Sequence, residues 1–203
     1  MPVVKACANS QSNMNSANKT ILRRQHKQLR SQMQNRAEKD SAICYNLRQL
    51  PAWQKAGRVL CYVSSSLEVS TRKIIAAAWQ QGKEVYAPLC TDKQGHMAFY
   101  RIASEKDLSP GNYNILEPVE GLPPLLKSFS QDLCVVPALS YDEQFYRLGF
   151  GKGYYDRFLA GFNGIKVGIC YEENIQPQLP HSHFDIPVDF IVTQSLLRQR
   201  AVK

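Results

Sequence analysis

The sequence predicts an α/β protein in one domain, with a mostly parallel sheet carrying helices on both faces. Three observations support this. Short apolar runs recur along the chain: "RVLCYVS" (58–64), "EVYAPL" (84–89), "DLCVVPA" (132–138), "IKVGICY" (165–171) and "PVDFIVT" (187–193). Helical patterns lie between several of them. The runs are continuously apolar, as strands covered on both faces are. A chain of 203 residues can bury a sizeable core, and neither a linker nor an internal repeat divides it.

Taken in order, residues 1–17 are rich in Asn and Ser without periodicity and are read as a mobile tail, leaving 18–203 as the domain. From Lys19 a helical spacing begins, with Ile21, Leu22, Leu29, Met33 and Ala37, then Ile43 and Leu47. Pro51 ends this region, with a break expected near Asn35. "RVLCYVS" is the first strand. "TRKIIAAAWQQG" (71–82) is a helix capped at Ser70 or Thr71 and closed at Gly82. "EVYAPL" follows, then a turn at "TDKQGH", then "MAFYRI" (97–102), which alternates like an antiparallel strand. A Pro- and Gly-rich connection (109–124) leads to the buried strand "DLCVVPA". "YYDRFLAGF" (154–162) opens a helix, "IKVGICY" is a strand, and "PVDFIVT" is expected to be the last.

Composition narrows the function. At 44% hydrophobic and 21% charged, the chain reads as globular, and no apolar run approaches the ~18 residues of a membrane helix. The N-terminus has no apolar h-region, so a cytoplasmic protein is expected. Six cysteines (7, 44, 61, 90, 134, 170) form no CxxC and read as buried thiols in a reducing compartment. His181 and His183 lack partner ligands, so zinc is not expected. The net charge of +8 calls for an anionic partner. The stretch Lys19–Lys39, with Glu38 its one acid, is either an RNA-binding helix or a solvated face.

The stretch with most chemistry is "RLGFGKGYYDR", from Arg147 to Arg157. It follows a strand and opens a helix, but its spacing is neither that of a phosphate loop nor that of a dinucleotide fingerprint. Gly149, Gly151 and Gly153 let backbone N–H groups approach a ligand, and the helix start adds a positive dipole end. Arg147 and Lys152 add mobile cations. Phosphate binding fits, except that Asp156 would repel phosphates unless Mg²⁺ stood between them. A plain glycine-rich loop with a helix-starting Asp is the alternative.

The stretch resembles the RLGxGxGYYDR signature of the 5-formyltetrahydrofolate cyclo-ligase family. Other segments are similar in the same order: "KTILR" (19–23), "LEVST" (67–71), "GNYNILEP" (111–118), "DLCVVPALSYD" (132–142), "LPHSHFD" (179–185) and "DFIVT" (189–193). The resemblance implies a three-layer α/β/α sandwich. It also implies an enzyme that binds ATP, Mg²⁺ and 5-formyltetrahydrofolate and releases 5,10-methenyltetrahydrofolate, ADP and phosphate.

Residue roles follow from the same resemblance. Lys19 and Arg23, four apart on a helix, would contact the ATP phosphates. The ATP loop would comprise Arg147, Leu148, Gly149, Phe150, Gly151, Lys152, Gly153, Tyr154 and Tyr155, with Lys152 and Arg147 catalytic. Asp156 and Asp185 would hold Mg²⁺. Glu68 would accept hydrogen bonds from the pterin, Tyr113 would flank the folate, and Val63 and Tyr154 would contact substrate. The chain departs from the family pattern at Phe145, where many relatives have Gly, at Tyr113 in place of Trp, and at Asn174 in place of Gln. A monomer acting on small molecules is expected, with no nucleic acid and no membrane. An RNA-binding module is disfavoured, because no RNP aromatic motif is present. A different phosphate-handling enzyme of this architecture would lack the Lys19/Arg23, Glu68 and Asp185 set.

Overall fold

The computed structural model describes residues 3–92, 94–111 and 115–201, with side chains from residue 17 onward. Three helices come first: α1 (Val3–Ser31), α2 (Arg36–Gln49) and α3 (Pro51–Lys55). Strand β1 (Arg58–Cys61), helix α4 (Arg72–Gln80) and strands β2 (Glu84–Cys90) and β3 (Met97–Ile102) follow. A two-stranded ribbon, β4 (Leu108–Pro110) and β5 (Leu116–Pro118), precedes β6 (Leu133–Pro137). Then come β7 (Ser140–Asp142), β8 (Arg147–Leu148), α5 (Tyr154–Ala160), β9 (Ile165–Ile169), β10 (Ile175–Gln176), β11 (Phe190–Val192) and β12 (Leu197–Gln199).

The main sheet has seven strands in the order β12-β11-β9-β6-β1-β2-β3. The five inner strands are parallel, and β3 and β12 run antiparallel at the two edges. From β1 the chain winds one way to β2 and β3, then crosses to β6 and winds the other way. The winding direction therefore reverses between β1 and β6. In such sheets a crevice opens there, at the carboxyl ends of the strands.

Side-chain alternation builds the layers. Val59 and Cys61 of β1 and Leu133 and Val135 of β6 face one side, against Ile43 and Leu47 of α2, Trp53 of α3 and Ile74 of α4. Leu60, Cys134 and Val136 face the other, against Leu159 of α5 and Phe162. The result is the expected three-layer sandwich.

Three expectations change. The helix expected from Lys19 begins at Val3. An apolar period reports packing, not helicity, and residues 3–17 contain no Pro or Gly to stop a helix. "PVDFIVT" is not the last strand. β12 pairs with β11 after a turn in which Thr193 Oγ1 accepts the N–H groups of Ser195 (3.2 Å) and Leu196 (2.9 Å). As an edge strand it needs no apolar run, and "LRQ" has none.

The third change concerns α1. Ile21 and Leu29, read as its buried stripe, are 58% and 47% exposed, whereas His26 and Arg30 are 2% and 1% exposed. The inward face is polar. The Arg30 guanidinium donates to Ala138 O (2.6 Å), Leu139 O (3.0 Å), Leu67 O (3.0 Å) and Asn174 Oδ1 (3.2 Å). Arg30 thus ties α1 to the segments that follow β1, β6 and β9. Its fork supplies donors that a lysine could not.

Replacing Arg30 with Met keeps the length but strands three buried acceptors and one half-buried one. Urea unfolding should show a loss of about 3 kcal/mol or more. A loss below about 1 kcal/mol would mean that this anchor is dispensable.

Candidate active site

Two segments leave the sheet at the winding reversal, where sheets of this kind bind ligands. One follows β1 and carries Val63 and Glu68. The other follows β6 and carries the glycine loop. Val63 is half-buried and packs partly against the core. Glu68 is buried, 8% exposed, and forms no ion pair among the described residues. Its Oε2 accepts from both Ser65 N and Ser65 Oγ at 2.8 Å. Burying a carboxylate without a cation is costly, so such a group marks a candidate ligand site. Arg36 fixes the backbone beneath it, donating to Ser66 O (2.7 Å) and Glu68 O (2.8 Å).

The glycine loop is held from below by Asp142, which is fully buried. Asp142 Oδ1 accepts from Gln144 N (3.0 Å) and Tyr146 N (2.9 Å), and Oδ2 accepts from Leu179 N (2.9 Å). One carboxylate therefore orients both the turn into the loop and the strand of chain that leads to Asp185. The turn forces Phe145 to φ 69°, a left-handed conformation that glycine adopts without strain. This is one of the positions where the sequence reading expected Gly from the family pattern. Phe145 also packs against the core, which offsets part of that strain.

Within the loop the roles divide. Arg147 and Leu148 are buried, so the Leu148 side chain is part of the core and only its backbone faces the loop. Arg147 donates to Asp156 Oδ1 (2.5 Å) and Ile186 O (2.8 Å). Ile186 N donates to the same Asp156 oxygen at 3.2 Å. Asp156 and the segment carrying Asp185 thus meet, although 29 residues separate the two acids. Asp185 Oδ1 and Oδ2 each accept from Lys19 Nζ at 3.0 Å. Burial raises the Asp185 pKa, but hydrogen bonds from Ser182 and the Lys19 ammonium outweigh it and hold the carboxyl below its ordinary value.

Arg23, one turn after Lys19, donates Nε to Gly149 O (2.9 Å). A Cβ at Gly151, where φ is 107°, would lie 3.1 Å from the Arg23 Cζ. Lys19 and Arg23 therefore share a face and close over the loop. Phe150 and Lys152 lie on the exposed outer side of the loop. Gly153, at φ 72°, begins α5. The Tyr154 hydroxyl donates to Asp92 O (3.1 Å). The Tyr155 hydroxyl is buried with no partner among the described residues, and its ring meets Phe99 edge-on. Burial pushes that phenol well above its usual pKa. Cys134, Cys61 and Glu68 push it further, and Arg147 opposes them. Tyr155 therefore lies where the fields of the two segments overlap. Tyr113 falls outside the described residues.

The sequence reading missed three contributors, His26, Arg30 and Arg36, and noted Asn174 only as a departure from the family pattern. The one signal of the three was the basic run from Lys19 to Lys39, read as RNA-binding or solvated. Three of its arginines (23, 30 and 36) are spent on backbone carbonyls of the site. Asn174 is fully buried between His26 and Arg30. Because its Oδ1 accepts from Arg30, its Nδ2 faces His26 Nδ1 (3.0 Å) and donates to the neutral ring.

Comparisons with known proteins bear on the family and the fold. The 5-formyltetrahydrofolate cyclo-ligase family matches residues 15–194. The Saccharomyces cerevisiae 5-formyltetrahydrofolate cyclo-ligase is 32% identical over 203 residues, spanning 87% of this chain and 95% of the yeast protein. The NMR structure of Aquifex aeolicus 5,10-methenyltetrahydrofolate synthetase superposes with a TM-score of 0.77 at 31% identity, covering 91% of this chain and 96% of that one. A Mycoplasma pneumoniae 5,10-methenyltetrahydrofolate synthetase structure, at 21% identity, shares the fold with a TM-score of 0.69, covering 87% of this chain and 99% of that one.

The buried His26 has a consequence for stability. Burial lowers its pKa below the ordinary 6.5, and the Arg30 charge lowers it further. In the unfolded chain the ring titrates near 6.5. As pH falls through that value, the unfolded state gains a proton that the folded state refuses, so stability drops. The urea midpoint should fall between pH 7.5 and 5.5, and His26→Gln should flatten that fall. An equally steep pH dependence in the variant would show that another group is responsible.

Proposed function

The chain belongs to the 5-formyltetrahydrofolate cyclo-ligase family, and from that premise we propose that it joins N10 to the formyl carbon of 5-formyltetrahydrofolate at the expense of ATP. The observation that supports this best is a buried, cation-free Glu68 after β1 together with a cation-lined glycine loop after the neighbouring β6. The first suits a neutral heterocycle with N–H donors, and the second suits a polyphosphate.

The chemistry assigns tasks to each. A formyl carbonyl on nitrogen is a poor electrophile, because the nitrogen donates into it. Moving the γ-phosphoryl group onto the formyl oxygen weakens that carbon–oxygen bond. N10 then attacks the carbon, phosphate leaves with the oxygen, and N10 gives up its proton. Phosphoryl transfer needs positioning and charge neutralisation more than covalent help from the protein. Lys19, Arg23 and Lys152 would supply cations, and Gly149, Gly151 and Gly153 the close backbone approach. Arg147, buried and anchored at Ile186 O, holds Asp156 in place more than it reaches outward. Both Ser65 donors fall on Glu68 Oε2, leaving Oε1 to accept a pterin N–H.

Asp156 and Asp185 fit a hard cation, since both are carboxylates brought to one place by Ile186. Among the described residues no group of three or more His, Cys, Asp or Glu could hold a metal. Two acids suffice where phosphate oxygens complete the shell, which is how Mg²⁺ is usually held. Mg²⁺ bound there would offset the charge between the carboxylates and the phosphates. In the structure Lys19 and Arg147 pair with those carboxylates.

A monomer acting on small molecules remains the proposed form. No described helix is long and apolar enough to cross a membrane. Cys44, Cys61, Cys134 and Cys170 are free and buried and Cys90, against expectation, is free and exposed; free thiols suit a reducing, cytoplasmic setting.

Purified protein given 5-formyltetrahydrofolate and Mg-ATP should show methenyl absorbance rising in the near ultraviolet. Absence of an ATP-dependent signal would overturn the reading. Lys152→Ala should lower kcat by on the order of 100-fold without unfolding the chain; wild-type turnover would remove Lys152 from the machinery. Asp156→Asn should raise the Mg²⁺ concentration needed for half-maximal rate, and an unchanged Mg²⁺ titration would take Asp156 out of the metal site.

A further inference from the structure

Arg157 closes the glycine-loop signature and has no task in the scheme above. It sits in the last turn of α5, where the helix dipole favours any cation. Its contacts give it a more specific role. Arg157 Nη1 donates to Lys152 O at 3.0 Å and reaches Gly95 O at 3.5 Å. Gly95 lies in the turn between β2 and β3, 62 residues away in the chain.

The turn is shaped to meet this guanidinium. Asp92 Oδ1 accepts the N–H groups of Gln94 (2.8 Å), Gly95 (2.9 Å) and His96 (3.0 Å). Thr91 N closes the turn on His96 O (3.0 Å). Gly95 has φ 102°, and a Cβ there would stand 2.2 Å from Arg157 Nη1. A Cβ at Gly153, where φ is 72°, would stand 2.9 Å from the same atom. Two glycines from distant parts of the chain thus leave room for one guanidinium. Tyr154 adds a second link to the turn through Asp92 O.

We propose that Arg157 is a positioning residue: it clamps the β2–β3 turn to the backbone of Lys152 and so fixes where that lysine stands over the glycine loop. This rests on the cyclo-ligase reading, because Lys152 is its phosphate-facing cation. The clamp acts through carbonyls, so charge alone does not replace it. Both contacts come from Nη1, one bond further from the backbone than a lysine Nζ, so a lysine at 157 would keep the charge but fall short of the two carbonyls.

The test is a double-mutant cycle on Arg157→Ala and Gly95→Ala in the full chain, with steady-state rates for 5-formyltetrahydrofolate and Mg-ATP. Gly95→Ala displaces the guanidinium while leaving every charge in place. Each single variant should lose about 10- to 100-fold in kcat, as a misplaced group does, with KM for the folate nearly unchanged. The double variant should be no slower than the slower single one, because both changes break the same contact. Arg157→Lys should recover only part of the loss. Circular dichroism and thermal midpoints separate these effects from unfolding. Multiplying losses, or full rescue by Arg157→Lys, would overturn the clamp and make Arg157 a simple phosphate cation. Wild-type kcat in both single variants would also overturn it, with the cyclo-ligase reading intact. A wild-type chain that makes no methenyl product would overturn that reading, and the positioning role with it.

Discussion

The buried guanidinium of Arg30 is the contact on which the site depends. One side chain gathers the carbonyls of Leu67, Ala138 and Leu139 and the amide of Asn174. These belong to the segments after β1, β6 and β9. Parallel strands end together at one edge, but the loops that leave them are not held together by the sheet. A cation inserted among their carbonyls holds them, and it commits α1 to lie across the carboxyl edge. Lys19 and Arg23 are then carried over the glycine loop by helical geometry alone. They lie 11 and 7 residues before Arg30, three turns and two turns up the same face.

The same economy appears at the two acids. Asp142 shapes the turn into the glycine loop and steadies the chain toward Asp185. Asp156 and Asp185 are already paired with Arg147 and Lys19. The segments after β6 and β1 therefore both hold buried charge, but in different ways. The glycine-loop side is internally neutralised, whereas Glu68 rests on two serine donors. An anion with its own counter-ion suits the first, and a neutral donor suits the second.

The sheet was legible in the sequence because its strands are apolar throughout, and burial on both faces leaves no other option. β12 was not, since an edge strand needs only backbone partners. The glycine loop was legible through residue types that the backbone and charge require. The face of α1 was misread for a specific reason. Ile21 and Leu29 have helical spacing, yet they point to solvent, while the polar stripe of Lys19, Arg23, His26 and Arg30 points in. Periodicity shows that one face differs from another. It does not say which is buried when the groove beneath is lined with carbonyls. Asn174 illustrates the same limit, because its value lies in partners 144 and 148 residues away.

Native-state hydrogen exchange tests this most directly. If a polar anchor holds α1 as the structure shows, the amides of residues 23–31 will be protected nearly as strongly as those of β6, and will open with it. Exchange of 23–31 by local opening, orders of magnitude faster than β6, would contradict the account, because the helix carrying Lys19 and Arg23 would then not be fixed over the site.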